Sequence, residues 1–209
     1  MARVSQAHLD ARRRQILDAA ALCFARNGFH ATSMQDVLKE AGLSAGAVYR
    51  YFSGKEELIA AIVAEVLGQV RAAFEEAAQQ SPPPPPDLLV ASVLGRTLAA
   101  RESLKVDGEP AFPRLVIQVW TETLRNSELA AVLRDGYGAV RQAWARVAEA
   151  YQEAGMMRAD VPPDDVARTM IAAVLGFLAQ QSLFGPTPVD VLRNGLRALM
   201  SMPDAPTHL

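Results

Sequence analysis

Apolar positions recur at helical spacing along almost the whole chain. Residues 8–26 place Ile16, Ala19, Ala20 and Cys23 on one face and stop at Asn27-Gly28, where glycine suits the left-handed position after a helix end. Ser33 is placed to cap a second helix, whose Met34, Val37, Leu38 and Ala41 fall at i, i+3, i+4 and i+7 and which Gly42 ends. Ser44 opens a third, very short helix reaching Phe52. Ser53-Gly54 then breaks the chain before a long helix from Lys55 to about Gln80, with a buried stripe running from Ile59 through Val66 to Phe74.

Ser81 and the prolines 82–86 follow, and no helix crosses such a run, because proline lacks the N–H and clashes with the preceding turn. The run reads as a stiff polyproline II connector. Beyond it the pattern predicts helices at about 87–104, 112–125, 127–154, 163–184 and 188–201. The breaks fall at Asp107-Gly108-Glu109-Pro110, Ser127 (as an N-cap), Gly155, Pro162-Pro163 and Gly185-Pro186. β-Branched residues nowhere alternate usefully with polar ones, so the fold class is all-α. Residues 163–184 are apolar nearly all round, and such a helix in a globular protein has to be covered on both sides.

Residues 31–58 carry the chemistry. Two short helices meet at a tight turn containing Gly42, and the second starts with Ala45, Gly46 and Ala47. This is helix-turn-helix geometry, in which the N-terminal residues of the second helix face base edges in the major groove and small side chains permit close approach. Tyr49 and Arg50 can reach outward. Thr32, Ser33, Tyr49 and Lys55 are the residue types that contact phosphates.

The segment resembles the DNA-binding domain of the TetR (tetracycline-repressor) family. The matching residues are Gly28, Thr32-Ser33, Ala41-Gly42-Leu43-Ser44, Gly46, Tyr49, Tyr51-Phe52, Lys55 and Leu58, with Tyr51 where family members often have His. The resemblance covers about 45 residues near the N-terminus. It implies phosphate contacts at Thr32 and Lys55, and groove-facing positions at Ala45, Gly46, Ala47, Tyr49 and Arg50, with Ser33 and Ser44 in the same DNA-binding set. It further implies a homodimer on a two-fold, palindromic double-stranded DNA operator, released when a small molecule binds the C-terminal domain, and acting as a repressor. The domains are then 1–54 for DNA binding and 55–209 for effector binding and dimerisation. The competing readings are a helical small-molecule-binding or scaffold protein without operator function, and an all-α enzyme.

Charge agrees with the first reading. Residues 1–55 hold eight Lys/Arg and four Asp/Glu, a net of +4, which leaves −6 for the remainder of a chain whose total is −2. A basic head on an acidic body suits a protein that meets phosphates at one end. Gly42-Leu43-Ser44-Ala45-Gly46 matches the hydrolase pattern G-x-S-x-G, but that elbow needs a preceding strand and a later His, and His208 is the one later candidate. The three histidines and the single cysteine are scattered, so no metal or other cofactor is implied. No signal peptide is evident, no segment reaches about 18 uninterrupted apolar residues, and a cytoplasmic protein without membrane contact is expected.

In the C-terminal part, Trp120, Tyr137, Trp144 and Phe177 are candidates to line an effector pocket, with Arg141 or Gln180 orienting the ligand. These groups point to an apolar, aromatic or polycyclic effector that is neutral or weakly charged. Val174, Leu175, Gly176, Leu192, Leu196 and Leu199 are expected to form a four-helix dimer interface.

Overall fold

The computed structural model describes residues 6–200. The final residue of the last expected helix and His208 lie outside them. The elements, in order, are α1 (Gln6–Asn27), α2 (Met34–Ala41), α3 (Ala45–Tyr49), α4 (Lys55–Ala78), α5 (Pro86–Ala99), β1 (Lys105–Val106), β2 (Glu109–Pro110), α6 (Phe112–Thr123), α7 (Ser127–Glu153), α8 (Pro163–Phe184) and α9 (Val189–Met200). The all-α class is correct.

Three details differ from the sequence reading. First, the helix expected at 87–104 ends at Ala99, and residues 105–110 form a miniature antiparallel hairpin. Its turn is Asp107-Gly108, both at positive φ (53° and 84°), which is the geometry two-residue hairpin turns demand. Second, Pro86 belongs to α5. Proline is tolerated in the first helical turn, where its missing N–H has no partner to lose. Third, α8 is by length and composition apolar enough to cross a membrane, although its run free of polar side chains extends only from Met170 to Ala179.

Residues 6–63 fold around Ile16, Phe24, Val37, Val48, Leu58 and Ile59, all inaccessible to solvent. α2 begins in a capping box: Asp36 N–H donates to Ser33 Oγ (3.2 Å), while Ser33 N–H (2.8 Å) and Oγ–H (2.6 Å) donate to Asp36 Oδ2. It ends at Gly42, φ 64°, whose N–H reaches back to the carbonyls of Leu38 and Lys39. Only the left-handed conformation makes so abrupt a turn, and glycine adopts it without strain. At five residues, α3 is too short to be stable in isolation. Val48 and Phe52, both buried, hold it against α1 and α4.

The larger part of the chain packs α4 parallel to α7, Leu67, Phe74 and Glu75 meeting Gly136, Trp144 and Arg146 in turn, with α8 against α7 and α5 against α9. Gly136 of α7 makes the α4 contact possible, because a Cβ there would stand 2.5 Å from Leu67 Cδ1. Trp144 (1 % exposed) and Tyr151 fill the centre with Phe74. The Tyr151 hydroxyl donates to Pro84 O at 2.5 Å, so the proline run is strapped to α7. Arg197 of α9 pairs with the buried Asp87 of α5 at 2.9 Å.

A second carboxylate ties down the start of α4, where Glu57 accepts from Ser53 N–H (2.7 Å) and Oγ–H (2.9 Å), without the reciprocal bond of the α2 box. Hydrogen bonds from Ser33 and Ser53 hold the Asp36 and Glu57 carboxyls below the usual carboxylate range. Their stabilisation is therefore complete above the ordinary carboxylate pKa and is lost as pH falls through the lowered values. On acidification from about pH 7 to about pH 3, the wild type should lose melting temperature more steeply than Asp36→Asn/Glu57→Gln. That variant should start lower at neutral pH. Parallel pH profiles for the two proteins would contradict the assignment.

Candidate nucleic-acid interface and ligand cavity

The N-terminal face of α3 is open. Ser44, Ala45 and Gly46 are exposed, Ala47 is half-buried, and Tyr49 and Arg50 point to solvent. Ser44 sits at the N-cap in extended conformation, but its hydroxyl makes no capping hydrogen bond and is free for a partner. Ser44, Tyr49 and Arg50 are thus the polar groups this surface offers, arranged around small residues that leave the backbone accessible.

The other three polar residues expected at the DNA turn out to be occupied. Thr32 is 1 % exposed, and its hydroxyl lies 2.7 Å from Gly28 O and 3.2 Å from Cys23 O, so it closes the end of α1. The Ser33 hydroxyl donates to Asp36. The Lys55 ammonium turns inward, 3.0 Å from Phe29 O, 3.2 Å from Thr32 O and 3.5 Å from His30 O, and stands 4.5 Å from the centre of the Phe29 ring. Its three N–H donors satisfy the carbonyls of the α1–α2 loop, which has no regular structure to satisfy them. In this conformation Thr32, Ser33 and Lys55 shape the reading head and do not present donors to phosphate.

The α1–α2 loop also touches α6. His30 Nε2 lies 3.0 Å from Glu122 Oε2, a carboxylate that is almost wholly buried. A Cβ on Gly28 would stand 3.3 Å from Gln118 Oε1. Gln118 and Glu122 are one turn apart and face the head together.

Toward the body, the same helix walls a partly open cavity of about 100 Å³ lined by α4–α8. Its lining is hydrocarbon, apart from Thr97, the Tyr137 hydroxyl and the Trp144 indole. A second apolar void of about 50 Å³ adjoins it between α4, α6 and α7. Val66, Leu67, Phe112, Val116 and Tyr137 border both, so one layer of side chains divides them. The Tyr137 hydroxyl titrates above its usual value because it is buried, a hydrogen bond from Trp120 partly opposing the shift.

Of the residues expected to bind an effector, Tyr137 and Trp144 line the main cavity and Trp120 borders the smaller void. Phe177 is buried behind the wall with Leu94, Phe112 and Leu178. Arg141 is held by Asp164 at 2.8 Å, and Gln180 is exposed on the outer face of α8, so neither orients a ligand in the cavity. Thr97 is a wall residue that sequence reasoning missed. Its hydroxyl bonds to Val93 O within α5, and nothing in the pattern separates it from other mid-helix polar residues.

The expected dimer residues divide in the same way. Val174 and Leu175 face the cavity, Leu192 packs inward, and Leu196, only 9 % exposed, lies in the core of the protomer beneath α5. Gly176 and Leu199 are exposed, in the company of Leu183, Phe184, Val191 and Met200. α8 therefore leaves most of its outer apolar face uncovered, with Ala172, Gly176 and Gln180 one turn apart along it.

A two-helix reading unit with an open, small-residue face, joined to a helical body that holds an apolar cavity, defines a helix-turn-helix transcriptional regulator. The chain belongs to the TetR family. Residues 16–62 match the family model described as bacterial regulatory proteins of the tetR family, and residues 97–201 match that of the BetI-type transcriptional repressor C-terminal region. The HTH-type transcriptional repressor Rv1474c of Mycobacterium tuberculosis is 31% identical over 205 residues, covering 94% of this chain and 99% of that protein. Salmonella enterica GusR superposes with a TM-score of 0.71 at 27% identity, over 95% of this chain and 99% of its own. Bacillus subtilis FadR, solved in complex with stearoyl-CoA, shares the fold with a TM-score of 0.71 at 18% identity, over 90% and 96% of the two chains.

The inward Lys55 changes what its removal should do. Lys55→Ala strands loop carbonyls and should cost about 2 kcal/mol of stability, the scale of hydrogen bonds to a charged group. It should leave the salt dependence of DNA binding nearly unchanged. Arg50→Ala should leave the melting temperature alone and lower the salt slope by about one unit if it meets a phosphate, or relax sequence preference if it meets a base. A folded, fully stable Lys55→Ala protein with a reduced salt slope would reverse these roles.

Proposed function

We propose that the protein is a homodimeric repressor that binds a two-fold DNA operator through Ser44–Arg50 and is released by a small apolar effector in the α4–α8 cavity. The observation that carries this reading is the position of α6. Phe112 and Val116 line the cavity, while Gln118 and Glu122 touch the α1–α2 loop at Gly28 and His30. A ligand that displaces α6 toward the head acts on the base of the reading unit through these two contacts. The switch needs the ligand to bind the two arrangements with different affinity. The repressor sign is supported by the BetI-type repressor match and by the relative Rv1474c.

The dimer is assigned to the uncovered faces of α8 and α9. Ala172, Gly176 and Gly195 allow close backbone approach, while Leu183, Phe184, Val191 and Leu199 supply apolar area. Two copies of such a pair form a four-helix interface around a two-fold axis, and obligate interfaces of this kind bury roughly 2,000 Å² or more. This surface replaces the one centred on Val174, Leu175, Leu192 and Leu196. Glutamate at Leu196 would damage the protomer itself and test nothing about association.

Fluorescence anisotropy with the DNA upstream of the gene should give a sequence-specific, two-fold footprint. Phe184→Glu/Leu199→Glu should yield a folded monomer that loses specific binding. A wild-type monomer at micromolar concentration that still binds the operator would rule out the dimer. Absence of specific binding to that DNA would leave a helical ligand-binding protein without operator function. Glu122→Gln should retain operator affinity but respond to effector several-fold less. An unchanged response in that variant would remove α6 from the signalling route.

A further inference from the structure

Arg101 follows α5, behind one wall of the apolar cavity, and its surroundings are unusual for a half-buried cation. Its guanidinium lies 5.2 Å from the centre of the Phe112 ring, which walls both voids. Its Nη1 and Nη2 donate to uncharged oxygens only, Gln69 Oε1 and Thr97 O, at long distances of 3.3–3.5 Å. Burial lowers its pKa, and the nearest carboxylates, Glu65 on α4 and Asp18 on α1, act on it through space. Among the described residues no carboxylate is hydrogen-bonded to it. A guanidinium is worth most when it forks two short bonds onto a carboxylate or phosphate, and here that capacity is unused.

The cavity beside it is apolar, small and parted from a second void by one layer of side chains, an arrangement that suits a slender chain better than a broad ring system. Thr97 and Val93 form part of the cavity wall and also of a groove of mixed character on the outside of α4 and α5, where Gln69, Arg96 and one carboxylate, Glu76, stand. A chain lying in the cavity therefore needs to pass only this layer to bring its end to Arg101.

We propose that the effector is an amphipathic anion, with an unbranched apolar tail in the α4–α8 cavity and a negatively charged carboxylate or phosphate head paired with Arg101. This rests on reading the cavity as the effector site, and it replaces the neutral aromatic ligand that the composition of the helices suggested. The charge has a consequence for signalling. Asp18 belongs to α1 of the reading head and Glu65 to α4, and both draw on the charge of Arg101. Glu65 also lies 3.8 Å from Arg13 of α1, so a headgroup that claims the Arg101 guanidinium removes one of the cations beside these two carboxylates and weakens the α1–α4 contact. The tail alone does not do this.

Calorimetry on the intact protein with decanoic acid, decanoyl-CoA and decanol tests the assignment, with release from operator DNA measured in parallel. At least one of the two anions should bind about tenfold more tightly than decanol, the scale of one charge-assisted hydrogen-bond pair. Preference for the acid identifies a carboxylate head, and preference for the thioester alone identifies phosphate. Arg101→Gln should bring the anions to within about twofold of decanol while decanol binding is unchanged, and Arg101→Lys should restore part of the preference. If Arg101→Gln fails to fold, the wild-type comparison of anion with alcohol decides. Equal affinity of all three compounds for the wild type, or a preference that survives Arg101→Gln, would overturn the anionic head while leaving an apolar effector standing. Failure of all three to bind would remove the linear-chain effector altogether.

Discussion

The continuity of α4 constrains everything else in the molecule. Its first turns supply Leu58, Ile59, Ile62 and Val63 to the core around α1–α3, and its later turns supply Leu67, Val70 and Phe74 to the cavity wall and the core beneath it. Twenty-four residues of uninterrupted helix span about 36 Å, with no proline among them. The head is therefore not hung on a flexible tether. The apolar cluster around Phe24 and Val48 continues without a gap into Leu104, Val106, Leu115 and Val119 of the larger part, so any rotation of α4 or α6 has to repack it. Close-packed interiors change between discrete arrangements and do not deform continuously, which is what a switch requires.

Within the head, polar side chains are spent on making a very short helix rigid. Thr32, Ser33, Asp36, Lys55 and Glu57 close two helix starts and one irregular loop. Without these contacts the five-residue α3 would have only Val48 and Phe52 to fix its angle. The cost is that few side chains remain to reach outward on α3: Ser44, Tyr49 and Arg50, with exposed backbone between them.

The sequence pattern located the helices well because their ends carry strong signals: Gly28 and Gly42 in left-handed conformation and Pro163 in the first turn of α8; at α7 the cap is Asn126, one residue before the expected Ser127, its side chain accepting from Leu129 N–H. It could not tell where polar side chains point. Thr32 and Lys55 have the right chemistry to meet a phosphate, and the carbonyls that claim them come from residues up to 26 positions away. The hairpin was hidden because each strand has two residues, too few for alternation to register, although its Asp107-Gly108 turn was visible. Faces were hardest to assign on α8. A helix that is apolar all round has no periodicity to read, so Val174 and Leu175 were placed outward and Gln180 inward, the reverse of what packing dictates. Arg101 carried no signal at all, because its interest lies in the ring and the weak acceptors around it.

The central claim is that head and body form one cooperative unit spliced by α4 and α6, and the chain carries its own reporters for it. Cys23, the single cysteine, is buried in the head with its thiol pKa pushed up to about 11, chiefly by burial, so it reacts only when the head opens. Both tryptophans lie in the body, on α6 and α7. A single denaturant titration, followed by Cys23 labelling and by tryptophan fluorescence, should give coincident midpoints. Cys23 labelling well below the denaturant concentration at which the tryptophans respond would show a head that opens on its own and would contradict the shared core.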